Sequence, residues 1–345
     1  MSSKYKINVA LIGATGYTGL DLVLMLSKHP RVNIKYLCAT KNIGKKIIFF
    51  DKRIKKNLPK ISSVKKVKWS ELDLVFLSLP NGEAQKLIKK IYKKNLKLKF
   101  IDLSADFRII DPKIYERNYK LKHKAKKLIK YSLYSIPEFN AKIDNKIRIL
   151  SNPGCYPTSV QIPLVPLIKG NLIKNYNITV DSKSGYSGAG KNFEKKFNHK
   201  NLYKSTFAYS TKNHRHICEI DQQLFILTNK KVDFSFNPYL LPTFRGILSS
   251  IYVYTHKGIT GKQLRNKLIK FYKNSKFIKV LKLNSSLGSG NVLNTNNCEI
   301  SICETRIKNK IIILCALDNL IKGASGQAVQ NMNILYKFPE YLGLK

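Results

Sequence analysis

The sequence predicts an α/β domain built on a doubly wound parallel sheet, followed by an α+β domain with a mostly antiparallel sheet. Apolar strands alternate with helical patterns over residues 1–150, as the first architecture requires. A glycine-rich turn joins the first strand to the first helix. Beyond residue 150, long apolar strands such as "KVDFSFNPYLLP" and "GILSSIYVYTH" follow one another with few helical crossovers. The second sheet is therefore expected to pair mainly antiparallel, with helices on one face.

The composition is that of a globular chain with two domains. The sequence has 345 residues, and 43% of them are hydrophobic, which is enough for a large core. No run of about 18 apolar residues occurs, so we expect no transmembrane helix. The N-terminal apolar run is too short for a signal peptide. The six cysteines are scattered and form no CxxC pair, which indicates reduced thiols in a cytoplasmic protein without a zinc ribbon.

The net charge of +43 leaves nucleic-acid binding open as an alternative. However, the lysines are spread over predicted helix faces and loops such as "KNIGKK" and "HKAKKLIK". The chain is also rich in Ile, Asn, Tyr and Phe, a mixture typical of a codon bias towards A and T. We therefore do not expect a nucleic-acid partner, although the positive field would attract anionic ligands.

The first element resembles a nucleotide-binding turn. Ile7 to Ile12 form a buried strand, Gly13, Gly16 and Gly19 follow in a tight turn, and a helical apolar stripe then ends before Pro30. Glycines let the backbone approach a pyrophosphate, and the helix N-terminus supplies donors and a positive dipole end. The spacing is GxxGxxG, so a purely structural turn is the alternative. The pattern favours a Rossmann-type dinucleotide-binding domain.

The second strand, "VNIKYLCAT", predicts which dinucleotide is bound. An NAD site usually carries an acidic residue near the end of this strand, where it binds the ribose diol. No Asp or Glu occurs between Asp21 and Asp51, and Thr40, Lys41 and Lys45 stand there instead. A hydroxyl and lysines suit a 2′-phosphate, which favours NADP(H). Ordinary lysines of a lysine-rich chain are the alternative.

Two further strands of the first domain end in polar loops, "LPNG" and "LSADFR". Ligands of such sheets bind beyond the C-terminal strand ends, where both loops are expected. We place the domain boundary near residue 150. The last segment, "LDNLIKGASGQAVQNMNIL", predicts a helix that opens near Ala324 and folds back on the first domain.

Cys155, in "SNPGCYPTSV", follows a strand and a glycine and precedes a predicted helix. A helix N-terminus favours the thiolate, which is the nucleophilic form of cysteine. Its acid/base partner is expected in "HRHICEI", which carries His214 and His216. An inert buried thiol is the alternative for the cysteine. A metal site with Cys218 or Glu219, or a surface turn, is the alternative for the histidines.

The second domain offers further polar groups that can face a ligand. The Gly/Ser-rich loop "DSKSGYSGAGK" lacks the GK[ST] ending of an ATP-binding loop, and we expect it to line the cofactor or the substrate. Arg108 and Arg245 stand out in a chain that favours lysine. A guanidinium fork binds carboxylate or phosphate in a bidentate way; surface arginines are the alternative.

A series of motifs runs through nearly the whole chain. In order and spacing it resembles the N-acetyl-gamma-glutamyl-phosphate reductases, arginine-biosynthesis enzymes within the semialdehyde dehydrogenases. The motifs are "GATGYTG", "FLSLPNG", "DLSADFR", "SNPGCYPT", "SGYSGAG", "HRHICEI", "LLPTFRGIL" and "ALDNLIKGASGQAVQNMN". The resemblance implies an NADP-binding Rossmann domain over residues 1–150, joined by the C-terminal helix at about 320–345. It implies a catalytic and dimerisation domain over 151–319.

The resemblance also implies an oxidoreductase of amino-acid biosynthesis that reduces N-acetyl-L-glutamyl 5-phosphate to the 5-semialdehyde through a cysteine thioester. Cys155 is then the nucleophile and His216, rather than His214, the acid/base. The implied substrate-binding residues are Arg108, Asn152, His214 and Arg245. The implied NADP(H) contacts are Gly13, Thr15, Gly16, Tyr17, Thr18, Gly19, Thr40, Lys41, Pro80, Ser187 and Gly188.

A homo-oligomer with a small-molecule substrate and no metal or membrane partner is expected from the same resemblance. N-acetyl-aminoadipyl phosphate, longer by one methylene that is worth about 1–3 kcal/mol, stays open as the substrate. A non-catalytic NADP- or RNA-binding module stays open as another class. "NPGCYPT" argues against aspartyl phosphate.

Overall fold

A computed structural model describes residues 5–191 and 202–345 of the chain. The chain divides into two compact units. Unit 1 comprises Met1–Pro153 and Ala324–Leu344, and unit 2 comprises Gly154–Gly323 with Lys345. Among the described residues, every helix is too short or too polar to cross a lipid bilayer.

The α-helices of the described residues are α1 Tyr17–Lys28, α2 Glu83–Ile91, α3 Pro112–Tyr119, α4 Cys155–Lys169, α5 Ile217–Thr228, α6 Gly261–Tyr272 and α7 Gly326–Leu335. The strands of unit 1 are β1 Ile7–Ile12, β2 Val32–Cys38, β3 Ile61–Ser62, β4 Leu74–Leu77, β5 Lys99–Asp102, β6 Ser132–Tyr134 and β7 Ile149–Ser151. The strands of unit 2 are β8 Ile178–Gly185, β9 Phe207–Ala208, β10 Phe234–Leu241, β11 Ile247–Tyr254, β12 Ile278–Val280, β13 Cys298–Glu304 and β14 Lys310–Leu317.

Unit 1 is the predicted doubly wound parallel sheet. Its strand order is β3-β2-β1-β4-β5-β7-β6, and every pair is parallel. Successive residues of β1 point to opposite faces, so one strand serves two cores. Val9 packs in the core that holds α1 and α7, and Ala10 packs in the core that holds α2. The parallel pairing brings the C-terminal strand ends to one edge.

Unit 2 contains one mixed sheet with the order β12-β13-β14-β11-β8-β10-β9. Among the described strands, four of the six pairs are antiparallel, which confirms the mostly antiparallel sheet. The pairs β8–β10 and β12–β13 are parallel. Helix α4 is buried almost throughout, since it packs on β11 and β14 and contacts α5 and α6. The N-terminus of this central helix is where Cys155 lies.

Candidate active site

The glycine-rich turn in unit 1 is fixed by its own packing. Gly13 has a φ of +92°, and a Cβ there would lie 2.1 Å from the carbonyl oxygen of Ser78. A Cβ on Gly19 would lie 2.2 Å from the carbonyl oxygen of Gly13. For a Cβ on Gly16, in contrast, the nearest atom would be the carbonyl oxygen of Gly13 at 3.7 Å. The chain therefore requires glycine at 13 and 19, and it leaves room beside Gly16 at the start of α1.

This room suits a dinucleotide phosphate. Gly16 is the N-cap of α1 and makes no side-chain cap, and the first N–H groups of a helix lack partners within the helix. The half-buried Thr15, Tyr17 and Thr18 surround it. Thr40 and Lys41 are exposed just after β2, and Pro80 is exposed just after β4. All of these positions lie at the C-terminal edge of neighbouring parallel strands.

Arg108 and Asn152 come together in unit 1, and both are buried. The Nε of Arg108 donates to the carbonyl oxygen of Asn152 at 2.8 Å, and its Nη2 donates to that of Leu103 at 2.9 Å. The amide of Asn152 donates to the carbonyl oxygen of Ala324 at 3.1 Å. Both predicted substrate-binding side chains thus donate hydrogen bonds to backbone carbonyl oxygens of unit 1. Their role towards a substrate stays a prediction.

Two carboxyl groups are buried close to Arg108 in sequence, Asp102 at the end of β5 and Asp106 in the loop that follows. Burial, with the neighbouring Asp106, raises the pKa of Asp102 above its ordinary value. Asp106 accepts from the backbone N–H groups of Gly82 and Gln85 at 2.7 and 2.9 Å. This buried loop therefore fixes the start of α2, which follows the predicted cofactor contact Pro80.

Cys155 is the first residue of α4, as the sequence predicted, and it is half-buried. Gly154 is the N-cap, and its N–H donates to Glu219 Oε1 at 2.8 Å. The hydroxyl of Thr158 donates to the carbonyl oxygen of Gly154 at 2.9 Å. Both backbone groups of Gly154, the residue before the thiol, are therefore hydrogen-bonded.

His214 and His216 lie at the start of α5 in the same unit. His216 is the N-cap residue of α5, and the two rings lie 4.8 Å apart between centroids. The backbone N–H of His216 donates to His214 Nδ1 at 3.2 Å, so the proton of neutral His214 resides on Nε2. Among the described residues, neither histidine belongs to a group of three or more potential metal ligands.

Glu219, which its place in the sequence suggested only as an alternative metal ligand, connects the two helix starts. It lies in the first turn of α5, is fully buried, and binds the N–H of Gly154. One hydrogen bond therefore joins the segment of His216 to the segment of Cys155. The only sequence signal was an acidic residue close behind the histidine pair.

Tyr209 is a second residue that sequence reasoning missed. Its ring packs against His214 at 5.4 Å, and its hydroxyl lies 3.5 Å from that of Tyr156. Burial raises the pKa of Tyr209 to about 12, and the Cys155 thiol contributes to the increase. The phenol therefore stays protonated at neutral pH. Tyr156 packs against both histidine rings and donates to the carbonyl oxygen of Tyr239.

Arg245 is tied to a buried aspartate after β14. Its Nη1 lies 3.1 Å from Oδ2 of Asp318, which is fully buried. The same Oδ2 accepts from the backbone N–H of Asn294, and Oδ1 accepts from the N–H groups of Leu320 and Ile321. This ion pair fixes the direction of the guanidinium. The signal in the sequence was a polar pair, "DN", directly after an apolar strand.

The Gly/Ser-rich loop is hydrogen-bonded to Asn319, the residue that follows Asp318. The amide of Asn319 donates to the hydroxyl of Ser187 at 2.9 Å, and its oxygen accepts from Gly246 N–H at 2.8 Å. Ser187 is buried, and a Cβ on Gly188 would lie 3.1 Å from the Ser184 hydroxyl. The hydroxyl of Ser187 therefore holds the loop in place. The role of Ser187 and Gly188 towards a cofactor stays a prediction.

The comparisons with known proteins follow the two units. A family model described as "Semialdehyde dehydrogenase, NAD binding domain" matches residues 8–146. One described as "Semialdehyde dehydrogenase, dimerisation domain" matches residues 155–319. Similar curated proteins are named N-acetyl-gamma-glutamyl-phosphate reductase. One from Ehrlichia canis is 41% identical over 99% of this chain and 98% of its own length. A probable chloroplastic one from Arabidopsis thaliana is 40% identical over 98% and 84%.

Solved structures of aspartate semialdehyde dehydrogenases share the fold. That of enzyme II from Vibrio cholerae, complexed with ASA, has a TM-score of 0.71 at 17% identity and covers 96% of this chain and 98% of that one. That of the Candida albicans enzyme with NADP has a TM-score of 0.64 at 16% identity, covering 96% and 98%.

Proposed function

The chain belongs to the semialdehyde dehydrogenase family and, within it, to the N-acetyl-gamma-glutamyl-phosphate reductases, and from this membership we propose its reaction. It reduces N-acetyl-L-glutamyl 5-phosphate with NADPH to N-acetyl-L-glutamate 5-semialdehyde and phosphate, a step of arginine biosynthesis. The observation that carries the proposal is the arrangement of Cys155 and His216 at two helix starts joined by the Glu219–Gly154 hydrogen bond.

The residues of unit 1 fit a dinucleotide. The turn around Gly16 has the open space and the helix N-terminus that a pyrophosphate needs. Thr40 and Lys41 lie exposed after β2, where they can hold a 2′-phosphate. Bound NADPH supplies a hydride for a thioester carbonyl. We assign the cofactor to the residues that begin α1 and follow β2 and β4.

The chemistry of unit 2 begins at the thiolate of Cys155. The sulfur attacks the acyl-phosphate carbon, the C–S bond forms, and the C–O bond to phosphate breaks. Phosphate leaves with the bonding pair, and a thioester remains. His216 takes the thiol proton before this attack and returns it to the oxyanion that forms on reduction. The resulting thiohemiacetal gives its hydroxyl proton to His216 as the C–S bond breaks, which releases the aldehyde and regenerates the thiolate.

Arg245 binds a carboxylate of the substrate in this proposal. Its guanidinium is 12% exposed, and the ion pair with Asp318 fixes its direction. A guanidinium can bind a carboxylate in a bidentate way. His214 assists by holding the backbone of His216 at its Nδ1. We also propose that the enzyme acts as a cytoplasmic homo-oligomer through unit 2, which matches the dimerisation domain.

The test is the loss of NADPH absorbance with N-acetyl-glutamyl phosphate, and the reverse reaction with the semialdehyde, phosphate and NADP. Wild type and Cys303→Ala, which changes another half-buried thiol, are expected to be active. Cys155→Ala is expected to lose all detectable turnover. Activity of Cys155→Ala, or of wild type on N-acetyl-aminoadipyl phosphate alone, would overturn the proposal. Light scattering on the purified enzyme tests the oligomer, and a monomer at assay concentration would contradict it.

A further inference from the structure

The turn that follows β14 lies against the nucleophile. A Cβ placed on Gly323 would lie 2.7 Å from Cys155 Cβ and 3.1 Å from Cys155 Cα. The next atom, Leu317 Cδ1, would lie 3.3 Å away. Carbon atoms in folded proteins do not pack at 2.7 Å, because the repulsion rises steeply inside about 3.5 Å. Any side chain at 323 would therefore displace Cys155 or the turn.

Backbone conformation is not the reason for a glycine at this position. The φ of Gly323 lies outside the left-handed region, in contrast to that of Gly246 at +105°. An alanine could adopt the same backbone without strain. What position 323 requires is the absence of a methyl group on the side that faces Cys155.

The turn cannot readily retreat from Cys155. The N–H of Gly323 donates to the carbonyl oxygen of Asp318 at 2.9 Å. The buried carboxylate of Asp318 accepts from the N–H groups of Leu320 and Ile321. The opposite partner is also fixed, since Gly154 is held by Glu219 and by Thr158. Cys155 thus lies between two hydrogen-bonded backbone segments.

We propose that Gly323 is a positioning residue for Cys155: it lets the turn close on the Cβ of the nucleophile and fixes the path of the thiol at the start of α4. The catalytic part of this inference rests on the proposed function, whereas the contact itself does not. The residue touches neither substrate nor cofactor in this role and acts through the cysteine alone.

The catalytic test compares Gly323→Ala with Gly288→Ala, because a Cβ on Gly288 would meet no atom within 4 Å. A displacement near 1 Å at a reacting group can cost about 100-fold. We expect Gly323→Ala to lower kcat by about 10- to 100-fold with KM for NADPH unchanged. We also expect it to shift the pH profile of Cys155 alkylation by iodoacetamide, which peptide mass mapping would measure. Gly288→Ala is expected to match wild type in all three. Wild-type kcat and alkylation in Gly323→Ala would overturn the proposal.

A second experiment keeps the contact testable if Gly323→Ala folds poorly. Cys155→Gly removes the atom that the new methyl would meet first. We expect Gly323→Ala to lower the melting temperature in the wild-type background by about 3 °C or more, and by clearly less in the Cys155→Gly background. An equal loss of melting temperature in the two backgrounds, or a double variant that is as poorly folded as Gly323→Ala, would show that Cys155 does not set the requirement for glycine at 323. This cycle needs no turnover, so an inactive wild type would refute the proposed function and leave this inference standing on its own result.

Discussion

The hydrogen bond between Glu219 and Gly154 allows a quantitative prediction for catalysis. Replacing Glu219 by alanine removes the acceptor of a buried N–H, and replacing it by glutamine keeps an oxygen acceptor but removes the charge. A buried donor left without an acceptor costs about 1–3 kcal/mol, and a hydrogen bond to a charged group exceeds a neutral one by about 1 kcal/mol. We therefore expect stability to fall in the order wild type, Glu219→Gln, Glu219→Ala.

In the proposed mechanism the same free energy bears on the rate, because Gly154 directly precedes Cys155, the proposed nucleophile. If the loss appears as displacement of Cys155 from its reactive position, about 1–3 kcal/mol corresponds to a roughly 5- to 150-fold lower kcat for Glu219→Ala. Glu219→Gln is expected to lose about fivefold. KM for NADPH should not change, since the bond joins Glu219 and Gly154, and neither is a predicted cofactor contact.

The matched control is Glu304, whose Oε1 accepts from the N–H of Gly261 at 3.2 Å. Here too a glycine N–H at a helix start donates to a glutamate, although Glu304 is exposed and Glu219 is buried. Helix α6 carries none of the predicted catalytic residues. Steady-state kinetics and urea unfolding would be measured for Glu219→Ala and Glu304→Ala side by side. If folded Glu219→Ala loses no more kcat than Glu304→Ala, the link between the two helix starts has no catalytic role.

Three further predictions concern other parts of the molecule. Gly16→Ala should keep the wild-type melting temperature and weaken NADPH binding in a calorimetric titration. Gly19→Ala should lower the melting temperature, because its methyl group would lie 2.2 Å from a backbone oxygen. Asp318→Asn should raise KM for the acyl phosphate about tenfold, because an amide nitrogen would face donors where a carboxylate oxygen now accepts from Arg245; an unchanged KM would contradict the role of that pair. Burial lowers the pKa of His123 below 6.5, so the unfolded chain binds the proton more readily than the folded one. The unfolding free energy should therefore fall as the pH drops below about 6.5 and be retained above it. His123→Gln should flatten this pH dependence in urea titrations.

The fold could be predicted because its signals are local in sequence. The strand Ile7–Ile12, the glycine turn and the helix that follows it are encoded within one short segment, and the structure confirms all three. Sheet pairing is not local. The parallel pair β8–β10 in unit 2 escaped a prediction based on strand spacing, because β8 ends at Gly185 and β10 begins only at Phe234. The C-terminal helix begins at Gly326, two residues later than expected, after a π-helical turn at Ile321–Ser325.

The candidate site was predictable where a residue type carries its own chemistry. A cysteine at a helix start and a pair of histidines are reactive groups, so Cys155, His214 and His216 could be proposed as candidates from the sequence. Arg108 and Asn152 carry chemistry as well, yet the structure engages both in hydrogen bonds to the backbone of unit 1. Side-chain type predicts what a group can bind. Whether the protein's own backbone already engages that group depends on the fold, which side-chain type does not reveal.

The residues that escaped prediction share a different property: each acts through its position next to another group. Glu219 matters because Gly154 lies within hydrogen-bond distance, Asp318 because Arg245 does, and Gly323 because Cys155 leaves it no room for a methyl group. None of these partners is adjacent in sequence, so a glutamate, an aspartate and a glycine look ordinary until the chain is folded. A nucleophile must be reactive and must also be held in place. The sequence signal for a reactive Cys155 lies within ten residues around it, whereas the position of its backbone depends on two segments that begin more than fifty residues further along the chain. Substitutions at those distant positions should therefore lower kcat without altering the sequence motif that makes the cysteine recognisable.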